Sequence, residues 1–105
     1  MSKIGTSDLR NFAAELDGAK RLKRPEAKDK LNGSAKASVK GWLDKHDKAR
    51  VYEAKLKGQD VFIVVHPKSS VGMVKEGDLE AFDKSGKLLA KAKAIIKDDT
   101  DQFDE

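Results

Sequence analysis

Val61-Phe62-Ile63-Val64-Val65-His66 decides the fold class. The run is β-branched or aromatic up to its histidine and apolar at both odd and even positions. A strand with one wet face alternates, whereas a strand with both faces covered does not. These residues therefore predict the central strand of a sheet.

The segments on either side extend the same period. Upstream, Tyr52, Ala54 and Leu56 alternate with Val51, Glu53 and Lys55, and Lys57-Gly58-Gln59-Asp60 reads as the intervening turn. Downstream, Pro67-Lys68-Ser69-Ser70 is expected to end the central strand, since proline removes a ladder donor. Lys75-Glu76-Gly77-Asp78 reads as a second turn, and residues 79–82 as a strand. Asp83-Lys84-Ser85-Gly86 has the chemistry of a hairpin loop, with Gly86 at the left-handed position. Residues 87–94 would be the returning strand, although their alanines and lysines suit a helix equally well.

The first half has a different period. Residues 7–48 read as helical. Leu9, Phe12, Ala13, Leu16 and Ala19 share one helical face behind a Thr6 or Ser7 cap. Pro25 restarts the helix after the basic segment Lys20-Arg21-Leu22-Lys23-Arg24, and Asn32-Gly33 ends that piece. Ala35, Val39, Trp42, Leu43 and His46 form the next apolar face, so Trp42 is expected in the core. Helices followed by strands predict an α+β fold: N-terminal helices packed on a three- or four-stranded antiparallel sheet. Residues 1–97 form a single domain in this view, followed by a disordered acidic tail over residues 98–105.

Composition narrows the chemistry. The chain has 105 residues and no cysteine, so there is no disulfide framework and no thiolate metal site. No run approaches the roughly 20 apolar residues of a membrane span. The N-terminal residues lack the apolar stretch of a secretion signal. A cytoplasmic location with no membrane partner is the expectation.

The charge is unevenly distributed. The whole chain carries +4, with 22 basic and 18 acidic residues. Asp98, Asp99, Asp101, Asp104 and Glu105 place five of the acids in the last eight residues, which leaves residues 1–97 at +9. Residues 20–50 alone hold 11 bases and 4 acids. Such asymmetry points toward polyanions. Lys20, Arg21, Lys23, Arg24, Lys28, Lys30, Lys36 and Lys40 are the candidate phosphate-neutralising residues. Among the aromatics, Tyr52 is the one expected at the surface, where a base could stack on it.

No catalytic set, metal site or cofactor motif is legible, and the chain is read as non-enzymatic. His46 and His66 fall on a helical apolar face and at a strand end, where histidines usually pack or cap. Glu53-Ala54-Lys55 has the acid-x-lysine spacing found in some nucleases, but Asp44 and Asp47 upstream sit in a helical segment rather than on a strand. No glycine-rich phosphate loop or serine elbow occurs.

The tail, Asp98-Asp99-Thr100-Asp101-Gln102-Phe103-Asp104-Glu105, resembles the acidic tails of single-stranded DNA-binding proteins, with Phe103 lying two residues short of the end. The primary expectation is a small binding module that contacts nucleic acid through its basic helical region. The alternative is an adaptor or inhibitor that meets a protein partner through sheet edges and hairpins. Third is a small ribonuclease-type toxin, a class that is also short, basic and built of helices on an antiparallel sheet.

Overall fold

The computed structural model describes residues 4–14, 19–44, 49–71 and 74–95. His46, Leu16 and the acidic tail lie outside the described residues. In chain order the elements are α1 (Thr6–Ala13), β1 (Lys20–Leu22), α2 (Arg24–Lys30), α3 (Gly33–Ser38), α4 (Lys40–Leu43), β2 (Arg50–Leu56), β3 (Gln59–Val71), β4 (Val74–Phe82) and β5 (Leu88–Ile95). The five strands form one antiparallel sheet in sequential order, with β3 in the middle. The fold is α+β as expected, but the sheet has five strands rather than three or four.

Both faces of the sheet are covered. Leu9, Phe12 and Ala13 of α1 pack with Tyr52, Val61, Ile63, Val65 and Leu79 on one face. Ala27, Leu31, Ala35, Val39 and Trp42 of α2 to α4 pack with Leu22, Val51, Phe62, Val64 and Phe82 on the other. This double cover explains why residues 61–65 are apolar without alternation: odd positions meet α1 and even positions meet Trp42 and its neighbours.

Three local expectations are overturned, each for a physical reason. The basic segment at residue 20 is not helical but forms β1, a short edge strand. Leu22 is fully buried there, and Lys20 pairs in register with Glu53, 3.2 Å from its carboxylate. This burial and pairing outweigh the segment's helical propensity. Pro67 does not end the central strand, which continues to Val71 with a register shift between Pro67 and Ser69. Among the described residues the ladder to β2 runs as far as Val65 opposite Arg50, and Pro67 has Gly77 of β4 as its neighbour. A missing N–H is tolerated at such a place. Lys75-Glu76-Gly77-Asp78 is not a turn either; it belongs to β4, with Glu76 opposite Ile95 and Asp78 opposite Lys93.

The returning segment is a strand. Ala90 and Ala94 pack against the α1-side core and Ala92 is part of it, so small side chains let α1 lie close to the edge strand. Thr6 Oγ1 and Arg10 Nε on α1 donate to the Lys91 and Lys93 carbonyls at 3.2 and 3.4 Å. The loop before β5 is the expected one. Asp83 Oδ1 accepts from the amides of Ser85 and Lys87, each at 2.9 Å, and Gly86 has φ 94°.

Candidate nucleic-acid interface

Three of the eight candidate cations converge. Ala27, Ala35 and Val39 turn into the core, so the residue after each, Lys28, Lys36 and Lys40, turns outward. One lysine from each of α2, α3 and α4 thereby reaches a single open hollow of about 400 Å³. Ala37 and Leu43 give it an apolar wall, and Asp44 is the acid that lines it among the described residues. All three lysines are exposed. Lys23, also exposed, occupies the N-cap of α2.

The other four serve the fold. Lys20 and Lys30 both reach Glu53, at 3.2 and 3.4 Å, and Lys84 from the β4–β5 loop joins them at 3.1 Å. The hydrogen bond from Lys84 is the largest influence on Glu53; opposed by partial burial and aided by Lys20 and Lys30, it holds the carboxyl down at about 2. Lys20 is correspondingly raised, first by its hydrogen bond to Glu53. Glu53 of the Glu53-Ala54-Lys55 triplet is thus held by ammonium groups. Arg24 is half-buried, with its guanidinium 5.8 Å from the centre of the Trp42 ring. Arg21 is half-buried on β1, opposite Tyr52.

Tyr52 is not at the surface, contrary to expectation. It is 1% exposed and meets Phe12 edge-on, with ring centroids 6.2 Å apart. Because α1 covers its face of the sheet, no base can stack on it.

A second cluster lies beside the first, and the sequence reading missed it. Ser38, at the end of α3, meets His66 of β3 and Glu80 of β4. Ser38 Oγ donates to Glu80 Oε1 at 2.5 Å, and His66 Nε2 lies 3.0 Å from the same oxygen and 3.1 Å from Ser38 Oγ. Serine and carboxylate therefore meet the same ring nitrogen. A hydrolytic Ser-His-acid relay needs them on opposite nitrogens, so this is not one. Lys91 Nζ stands 3.8 Å from Glu80 Oε2. These side chains, with Asp78 and Lys93, line an open hollow of about 540 Å³. Two cross-strand rows build its floor: Val64, Glu80 and Lys91 in one, His66, Asp78 and Lys93 in the next. Pairing residues 62–66 of β3 in register with residues 78–82 of β4 brings the histidine and Glu80 together. The turn expected at residues 75–78 hid that pairing.

Among the described residues no group of three His, Asp or Glu side chains is arranged to hold a metal ion, and no helix is long and apolar enough to cross a membrane. Comparison with family models, curated proteins and solved structures finds no match to this chain.

Proposed function

We propose that the chain is a small nucleic-acid-binding protein that engages the phosphate backbone through the outer surface of α2 to α4. The observation that carries this is the convergence of Lys28, Lys36 and Lys40 on one hollow, from three helices. Point charges on flexible stems neutralise phosphates without reading bases. Binding is then electrostatic and nearly indifferent to sequence. The overall charge of +4 and the excess of bases over residues 20–50 favour encounter with a polyanion.

A protein partner along the β5 edge has less support, because Thr6 and Arg10 already occupy two of that strand's carbonyls.

Fluorescence anisotropy with labelled single-stranded oligonucleotides, repeated across a salt series, tests the proposal. The logarithm of the binding constant should fall linearly with the logarithm of salt, by about 0.7 per phosphate neutralised, and unrelated sequences should bind alike. Absence of binding at low salt, or a salt-independent preference for one sequence, would rule it out.

A further inference from the structure

We propose that residues 98–105 of this chain dock on the hollow between α2, α3 and α4 and cover its lysines. That the segment thereby competes with nucleic acid rests on the function proposed for that surface; the docking itself does not. The segment, Asp98-Asp99-Thr100-Asp101-Gln102-Phe103-Asp104-Glu105, lies outside the described residues. Its chemistry asks for cations to meet five carboxylates and an apolar wall to meet one aromatic ring.

The hollow offers both. Lys28, Lys36 and Lys40 stand exposed around it, and Asp44 is the acid on its lining among the described residues. Ala37 and half-buried Leu43 make the apolar wall, part of which meets solvent until something covers it. Other lysines are already engaged. Lys20, Lys30 and Lys84 share Glu53, and Lys57 reaches Asp8. A carboxylate and a phosphate make the same demand of an ammonium group, so the segment and a nucleic-acid backbone exclude one another there.

The path from β5 to the hollow is short. Ser38 ends α3 beside Glu80, and Glu80 is in register with Lys91 of β5. From that row to Ile95 the strand runs about 13 Å. Residues 96–105 extend to at most about 33–36 Å. A segment that turns back after Ile95 therefore regains the level of Ser38 with more than half its length to spare. Lys36 and Lys40 lie on either side of Ser38 in the chain.

The return is also steered. Ala90, Ala92 and Ala94 face the α1-side core, so the alternate residues Lys91 and Lys93 face the side that carries Ser38. Asp78 and Glu80 lie on the same floor and oppose a carboxylate there. The hollow beyond, with three lysines to one acid among its described lining, is the better seat. Tethered through residues 96 and 97, the segment meets it at an effective concentration on the order of millimolar, so weak contacts suffice.

The first measurement needs no nucleic acid. Amide spectra of the isotope-labelled full chain are compared with those of a variant carrying Asp98→Asn, Asp99→Asn, Asp101→Asn, Asp104→Asn and Glu105→Gln. Signals of Lys28, Lys36, Lys40 and Leu43 should differ, and those of Lys20, Lys30 and Lys84 should not. Salt at about 1 M, where the screening length is ~3 Å, should move the wild-type signals toward the variant's. Phe103→Ala, which leaves the charge alone, should move Ala37 and Leu43. The second measurement is anisotropy with a single-stranded oligonucleotide at low salt. The neutralised variant should bind at least about 5-fold more tightly than wild type, and the gain should fall below about 2-fold once Lys28→Ala and Lys36→Ala are added to both. Hollow signals identical in wild type and variant, or shifts equal at every exposed lysine, overturn the docking. Shifts confined to the hollow with equal oligonucleotide affinities overturn the competition. Shifts confined to the hollow while neither protein binds the oligonucleotide overturn the function proposed for the surface and leave the docking standing.

Discussion

The carbonyl of Gly86 accepts the amide of Ala35 at 3.2 Å, which ties the loop between β4 and β5 to the first turn of α3. The approach is close because Gly86 has no side chain. A Cβ there would overlap the carbonyl oxygen of Asn32, and φ is 94°. Only glycine adopts that backbone without strain. Gly86→Ala should therefore cost about 2 kcal/mol or more, combining a backbone penalty with a clash against main chain that cannot swing away. A urea titration followed by circular dichroism measures it. A loss below about 0.5 kcal/mol would mean that loop and helix do not touch in solution.

Acid should destabilise the protein partly through Glu53. Its carboxyl is lowered from 4.5 to about 2, first by the Lys84 hydrogen bond. A carboxyl lowered in the folded state stabilises that state above its unfolded value, and the contribution disappears as pH falls through the folded one. The window is therefore pH 4.5 down to about 2. The shift alone corresponds to roughly 3 kcal/mol, and exposure of the flexible lysines reduces this to about 1–2 kcal/mol. Asp8, lowered first by the Gly5 amide, and Asp83, lowered first by the Ser85 hydroxyl, titrate with the same sign. Glu53→Gln isolates the one contribution. Its melting temperature should lie below wild type at pH 6 and close to it at pH 2. Equal deficits at both would show that the carboxylate's charge is irrelevant.

Trp42 is 1% exposed and packs with Val39, Phe62 and Val64 between the helices and the sheet. Truncation to alanine should cost about 3–5 kcal/mol, as for other aromatic cores. Its fluorescence should be blue-shifted and poorly quenched by iodide in the folded protein. A red-shifted, freely quenched signal would place the ring in water and undo the core on that face.

The features legible in the sequence are those set by strong local chemistry. Residues 61–65 announce a doubly covered strand, Trp42 falls at helical spacing with Val39, and the Asp83 to Gly86 loop carries its own turn residues. What stays hidden depends on partners distant in sequence. Nothing local makes Lys20-Arg21-Leu22 a strand; Glu53 across the ladder does. Tyr52 reads as exposable until α1 is known to cover its face, and Lys75 to Asp78 reads as a turn until β5 is there to pair it. The candidate sites follow the same rule. The eight cations are countable in the chain, but which of them face outward depends on Glu53 and Trp42. Ser38 and Glu80 stand 28 and 14 residues from His66 along the chain, and only the fold around the β3–β4 register unites them.

That division among the cations leads to a prediction in which equal changes of charge have unequal effects. Lys28, Lys36 and Lys40 are exposed around one hollow. Lys20 and Lys30 are anchored on Glu53, which also takes Lys84. Replacing Lys28 and Lys36 by alanine should lower affinity for single-stranded nucleic acid on every sequence, and flatten the salt slope by roughly 0.7 for each phosphate no longer neutralised. Melting should barely change, because these exposed lysines have no fixed partner among the described residues and such side chains contribute little to stability. Replacing Lys20 and Lys30 removes the same formal charge. Here the melting temperature should fall, since Glu53 keeps one lysine of three, while the salt slope should change by less than the amount one phosphate accounts for. Anisotropy across a salt series and thermal melts of the two double variants decide between charge in general and charge in this place. If both variants lose affinity and slope equally, binding follows net charge alone, and the hollow between α2, α3 and α4 is not where the phosphates sit.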